Sequence, residues 1–169
     1  IRKTIMNELK DALKQYQERN DKNINVAEVK AEEFFKMRNI VYQRVGFDEK
    51  NSPFPKDLFA KIPPTLRSMP DYIAINKEAS FIEVKGFNQE FKLKEHDIEI
   101  YEWWMKVLNV MIYAYDFDKQ VAVIIPFEKL YRDIKLKNNF ATGRYHDNGF
   151  RYFVIDWNYL KEFKMYGQK

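Results

Sequence analysis

The sequence predicts one α/β domain with a helical front end, and three observations carry that expectation. Helix-period apolar stripes alternate with short β-branched runs, no internal repeat or low-complexity tract interrupts them, and 169 residues suffice for one core but hardly for two. The domain is expected to occupy residues 1–169, with 1–24 as a helical extension and 25–169 as the core. Hydrophobic residues make up 46% of the chain, including 14 Phe and 11 Tyr, so a substantial interior can form. The chain has no cysteine, which excludes disulfide scaffolds, zinc ribbons and thiol nucleophiles.

From Lys3 to about Arg19, apolar residues recur at Ile5, Met6, Leu9, Leu13 and Tyr16, a helix-period stripe. Asn20, Asp21, Asn23 and Asn25 break it, and Asn25 can cap a second helix running to about Tyr42. The expected inward stripe of that helix is Val26, Val29, Met37, Ile40 and Val41. Glu33 falls in the middle of it, four residues from both Val29 and Met37, so a carboxylate stands where a core residue is expected. Gly46 to Pro70 holds five of the six prolines and reads as an ordered connector with a helical turn near Asp57 to Lys61.

Tyr72 to Ile75 and Ser80 to Lys85 read as antiparallel strands joined over Asn76-Lys77-Glu78, with Gly86 ending the second. A long helix is expected from Glu95 to Tyr115, packed on the sheet through Ile98, Tyr101, Met105, Leu108, Met111, Ile112 and Tyr115. Val121 to Ile125, stopped by Pro126, has the pattern of a buried strand. Phe150 to Asp156 supplies another strand and Trp157 to Phe163 a closing helix.

The formal charge is +4 and the pI about 9.0, a mild lean toward polyanionic partners, and basic residues gather between Glu128 and Arg151. The longest mainly apolar stretch, Trp103 to Tyr115, is broken by Lys106 and Asn109 and falls short of the ~20 residues of a spanning helix. No membrane segment is expected. The opening residues lack the pattern of a secretory signal, so the expected location is intracellular, in cytoplasm or nucleoid, or in host cytoplasm for a viral protein.

Three ionisable residues lie where they can meet. Asp71 starts the first strand of the hairpin, and Glu83 and Lys85, two apart on the second, point to one face together with Phe81. Two converging carboxylates repel each other, a cost that a divalent cation removes. Oxygen donors without cysteine favour Mg²⁺ or Mn²⁺. The competing reading of the same residues is a cross-strand salt bridge on a solvated face.

Pro70-Asp71 followed by Glu83-Val84-Lys85 resembles the PD-(D/E)xK nuclease superfamily, which includes restriction enzymes, junction resolvases and repair or phage exonucleases. The resemblance implies a mixed sheet flanked by helices, the restriction-endonuclease-like core. It also implies metal ligation by Asp71, Glu83 and the Val84 backbone carbonyl, with Lys85 orienting or deprotonating the attacking water. Many members add a Glu from the preceding helix, and Glu33 resembles that residue more than Glu32 does. Lys85 fits an oriented cation better than a free base, its ordinary pKa being ~10.4.

Phosphate contacts are expected from Arg67, Gln89, Lys92, Lys94 and Arg144, and a helix beginning near Glu95 would present backbone donors to an anion. Arg44 can serve phosphate or structure. His96 reads as structural or exposed, and His146 as part of a turn that grips nucleic acid or merely connects strands. The aromatic residues of the 95–115 helix read as core or as a dimer interface rather than as base-stacking groups.

No Walker, Rossmann, zincin or nucleophile-elbow motif is present, so no nucleotide cofactor is expected. The sequence thus points to an Mg²⁺-dependent DNA endonuclease of recombination, repair or phage DNA processing, with Mn²⁺ as substitute and a homodimer compatible with the aromatic helix. The alternatives are a Holliday-junction resolvase or exonuclease of the same fold, and a non-catalytic nucleic-acid-binding or assembly protein.

Overall fold

The computed structural model describes residues 26–47, 54–137 and 140–167, so the expected helix from Lys3 to Arg19 lies outside the described residues. Helix α1 (26–37) leads into β1 (Val41–Arg44). Two single-turn helices follow, α2 (Lys56–Phe59) and α3 (Pro64–Arg67), within the proline-rich connector. Then come β2 (Tyr72–Ile75), β3 (Ala79–Phe87), β4 (Phe91–Lys94), α4 (Glu95–Met105), β5 (Val110–Asp116) and β6 (Val121–Pro126). The chain continues through α5 (Phe127–Lys137), β7 (Ala141–Arg144), β8 (Arg151–Ile155), α6 (Trp157–Leu160) and β9 (Met165–Gly167).

Six strands form one sheet in the order β1-β2-β3-β5-β6-β9, and β4-β8-β7 form a smaller one. Among the described strands, only β3 and β5 run parallel; the other paired strands are antiparallel. The large sheet is therefore mixed, with helices on both faces. One face packs against α1 through Ala27, Ala31, Phe34 and Phe35, which meet Tyr72, Ile82, Val84, Tyr113 and Tyr115. The other packs against α4, α5 and the small sheet through Ile98, Tyr101, Trp104, Phe127 and Leu130. This is the mixed α/β architecture of restriction-endonuclease-like proteins.

Strand alternation divides β3 between the two layers. Ile82 and Val84 face α1, whereas Phe81 and Phe87 belong to the core beside α4, which places Glu83 and Lys85 on the α4 side. Gly86 does not end the strand. It pairs with Tyr115 inside the ladder, close to the Phe117 ring and the Ala27 methyl.

The second helix stops at residue 37, and Val41 and Tyr42, expected in it, belong to β1. Asn39 adopts a left-handed φ of 53°, the Ile40 N–H reaches the Phe35 carbonyl at 2.9 Å, and the Asn39 N–H reaches Lys36 at 3.1 Å. These bonds make a Schellman stop, in which Asn is a tolerated residue and Ile40 packs beside the layer containing Phe35. The inward stripe also differs from expectation: Val26, Val29 and Met37 are exposed, and Ala27, Ala31, Phe34 and Phe35 are buried. The small alanines let the helix approach the sheet while the two phenylalanines bury more apolar area than the valine stripe could.

The expected helix to Tyr115 likewise ends early, at Met105, and 110–116 is strand β5. This strand is buried on both faces, so its apolar run lacks a polar alternation and mimics helical spacing. Tyr113 and Tyr115 accordingly face α1 from a strand, while Trp103 is left half exposed on α4.

Replacing Asn39 tests the stop. Asn39→Val should lose about 1–2 kcal/mol, because a β-branched residue resists the left-handed conformation. Asn39→Gly should stay within about 0.5 kcal/mol of wild type, both measured by urea unfolding.

Candidate active site

Tyr72 pairs with Ile82, and one step outward along the same register Asp71 stands opposite Glu83. Directly opposed residues of antiparallel strands have Cβ atoms about 4.5–5.5 Å apart. The Asp71 backbone is fixed by the segment after β1: its carbonyl accepts from the N–H groups of Val45 at 2.9 Å and Gly46 at 3.0 Å. A Cβ on Gly46 would lie 2.9 Å from the Asp71 Cα, so only glycine permits that approach. The side chain is held as well, with Oδ2 accepting from the Val84 N–H at 2.8 Å.

Glu83 is only 7% exposed. Its Oε1 lies 2.7 Å from Lys85 Nζ, and that ammonium also donates to Asp97 Oδ2 at 3.2 Å. Asp97 stands in the first turn of α4, and four residues on, the buried Tyr101 hydrogen-bonds Glu83 and places its ring 5.8 Å from Lys85 Nζ. Asp71, Glu83 and Lys85 thus meet on one face of the sheet's interior strands, and α4 closes that face with a carboxylate and a phenol.

Burial, then the neighbouring Glu83, push the Asp71 carboxyl up to about 8 from an ordinary 3.8, against the Val84 N–H and Lys85, which pull it down. Burial works to lower Lys85, but Asp97 and Glu83 outweigh it and hold the ammonium well above its usual range. Lys85 is therefore a cation held between carboxylates. Tyr101 is pushed well up by burial and by Glu83 and stays protonated as a donor.

Glu33 is not brought to this group. Its Oε2 takes a 2.9 Å salt bridge from Lys30, it raises Tyr113, and it borders a groove of about 630 Å³ with Phe34, Arg38 and Tyr166 on the α1 side of the sheet. The reason is the rotation of α1: burying Ala27 and Phe34 turns Glu33 away from this group. Glu32 accepts from the hydroxyls of Tyr72 at 3.0 Å and Tyr42 at 3.2 Å. The acid of α1 nearest in its influence is Glu28, which raises Asp71 and is forked to Arg44 at 2.6 and 3.1 Å. Sequence reasoning missed Glu28, Asp97 and Tyr101. The available signals were Ala27 and Ala31, small residues marking the face beside Glu28, and the four-residue spacing of Asp97 and Tyr101.

The expected phosphate contacts scatter. Lys92 and Lys94 share the outward face of the small sheet, and Gln89 is exposed in the preceding turn with a φ of 60°. Arg67 packs over the Phe59 ring at 6.0 Å, with its Nε buried and lacking a hydrogen-bond partner among the described residues. Arg144 is tied to the Gly149 carbonyl at 3.0 Å in the β7–β8 hairpin, whose exposed tip includes His146. His96 is exposed, 4.0 Å from Glu99.

Asp71 and Glu83 fit a hard divalent cation. Their repulsion, expressed in the raised Asp71 carboxyl, is the disfavour such an ion removes, and both offer oxygen donors. Among the described residues, no group of three or more His, Cys, Asp and Glu can hold a metal ion, so the remaining positions would fall to water, backbone and phosphate oxygens. Among the same residues, no helix is long and apolar enough to cross a membrane.

Neither a family model nor a curated relative matches the chain in sequence. In structure, it is similar to Hjc, a Holliday junction resolvase from the archaeal hyperthermophile Archaeoglobus fulgidus, with a TM-score of 0.51 and 14% identity. The likeness covers 83% of this chain and 89% of that one. The fold is thus one it shares with a junction resolvase.

Proposed function

We propose that the protein is a divalent-cation-dependent nuclease that hydrolyses DNA phosphodiester bonds. The observation that carries the reading is Asp71 held by the Val84 N–H and raised by Glu83 beside it on β3, with the Lys85 ammonium 2.7 Å from Glu83 and steadied by Asp97. In this reading, Asp71 and Glu83 hold Mg²⁺ or Mn²⁺, with the Val84 carbonyl as a further donor. The cation supplies Lewis-acid activation of the phosphodiester and of water.

Lys85 acts as a fixed positive charge. It orients the attacking water and stabilises negative charge gathering on the phosphoryl oxygens, and its raised pKa disfavours proton abstraction by its amine. The proton of the water then passes to a phosphate oxygen or to solvent. Tyr101 keeps Glu83 turned toward the site by donating to it, and Asp97 keeps Lys85 from collapsing wholly onto Glu83. Glu28, paired with Arg44 beside Asp71, is the α1 acid for the outer part of the site, in place of Glu33.

The fold relation makes four-way-junction DNA the first substrate to compare with supercoiled, linear and single-stranded DNA. Cleavage should require Mg²⁺ or Mn²⁺, vanish in EDTA, and fall at least ~100-fold in Lys85→Ala and Asp71→Ala variants that keep the wild-type circular-dichroism spectrum. Persistent cleavage by both variants would defeat the reading. A second reading, a nucleic-acid-binding protein that keeps the fold without hydrolysis, is favoured by the absence of a three-residue metal cluster among the described residues. It predicts binding without cleavage of any of these substrates.

The acid pair also leaves a stability signature. With its pKa raised from 3.8 to about 8, Asp71 holds a proton in the folded state that the unfolded chain has released. Its favourable contribution is complete below pH ~4 and is lost as pH rises to about 8. In EDTA at pH 8.5, Asp71→Asn, which does not titrate and can still accept from the Val84 N–H, should therefore melt at least about 3 °C above wild type. The gap should shrink toward pH 5, and Mg²⁺ should raise the wild-type midpoint alone.

A further inference from the structure

The small sheet has one buried face and one open face. Phe91, Leu93 and Ile155 enter the core beside α4, whereas Lys92 and Lys94 alternate outward on β4, opposite Val154 and Tyr152 of β8. Lys92 Nζ stands 5.0 Å from the Tyr152 ring centroid, and Lys94 Nζ stands 5.6 Å from that of Tyr145. The two rings are themselves 4.6 Å apart. Tyr152 lies flat on the neighbouring strand, because a Cβ on Gly143 would come within 2.6 Å of its ring. Lys92 has a partner in Glu90 at 3.3 Å, and Lys94 makes no ion pair with any described residue.

We infer that this outward face, carried by Lys92, Lys94, Tyr145 and Tyr152, is a docking surface for single-stranded DNA. Lysines two apart on a strand are spaced by roughly 7 Å and supply cations along a phosphate chain, and paired phenol rings supply platforms for unstacked bases. A duplex offers such a face its phosphates alone, since its bases stay stacked; the tyrosines therefore favour the single strand. The cation–π geometry is the unliganded arrangement: each ammonium rests on the ring that a base would cover and can swing to the backbone as the base arrives.

The face is also joined through the chain to the elements of the candidate active site. Lys94 immediately precedes α4, whose Asp97 holds Lys85, and β4 follows β3 after a three-residue turn at 88–90. The inference rests on the nuclease reading for its choice of DNA as partner and adds to it the strandedness of the DNA and the surface that grips it.

Binding of a fluorescein-labelled oligothymidylate, followed by anisotropy in EDTA across a salt series, tests the face without requiring cleavage. The double variant Lys92→Ala/Lys94→Ala should bind at least ~10-fold more weakly, with the salt slope reduced by about 1.4. Tyr145→Leu should weaken binding about 5-fold or more, whereas Tyr145→Phe should retain it. A blunt duplex should respond to the lysines and not to the ring.

Unchanged affinity and slope in the lysine variant, a neutral Tyr145→Leu, or a Tyr145→Leu loss as large for the duplex as for the single strand would each overturn the inference. Melting curves of all variants exclude unfolding as the cause. Metal-dependent cleavage with an intact lysine-variant affinity would sink the docking face and leave the nuclease reading standing. Lysine-dependent binding with no cleavage of any substrate would do the reverse.

Discussion

Two carboxylates facing each other across neighbouring strands, in a place with little water, set the terms for everything around them. Such a pair is tolerated only if its surroundings donate hydrogen bonds and positive charge. The Val84 N–H answers Asp71, and Tyr101 and Lys85 answer Glu83. Those answers create obligations of their own: the enclosed Lys85 ammonium is shared with Asp97, and Arg44 beside β2 is shared with Glu28. The polar network is thus an outward series of compensations that starts from one unfavourable contact, and the helices α1 and α4 are held to the sheet partly by serving it.

The central strand separates two tasks that would interfere on one surface. Toward α1, β3 presents Ile82, Val84 and the bare backbone of Gly86, the last allowing Ala27 and Phe117 to pack closely. Toward α4 it presents Phe81, then Glu83 and Lys85, then Phe87, so the charged pair is bracketed by aromatic residues along the strand. Apolar packing of this kind limits water without supplying competing donors. The same bracketing keeps Tyr101 and Trp104 of α4 in register with the strand, since Trp104 meets Phe81 edge to ring at 5.2 Å.

Much of this was legible in the sequence because the hairpin is a local structure. The spacing of Asp71, Glu83 and Lys85 and the breakers at Asn76-Lys77-Glu78 specify which residues face each other, and β2 has the expected bounds. Glu33 misled because the valine stripe of α1 has the right period and the wrong face; burial of Phe34 and Phe35 decided the rotation, and that preference depends on the sheet they meet. The sequence of β5 has helical spacing because a strand covered on both sides carries no alternation. The alternation Phe91-Lys92-Leu93-Lys94 was visible in the sequence, yet its meaning depended on β8 arriving from some sixty residues away to complete a sheet. Asp97 and Tyr101 could be placed together on a helix face, but the strand that face covers was set by tertiary packing alone.

The parallel pairing of β3 with β5 requires a crossover, and the chain between Phe87 and Val110 makes it through β4 and α4. That crossover is the very segment bearing Asp97 and Tyr101. The link that closes the middle of the sheet therefore also delivers the groups that restrain Glu83 and Lys85. Local breathing of a loop cannot release them, because their positions are tied to a non-local strand pair whose opening is close to global unfolding. Glu83 and Lys85 sit within that non-local ladder itself, a placement that costs folding speed and favours a fixed geometry on the timescale of a chemical step.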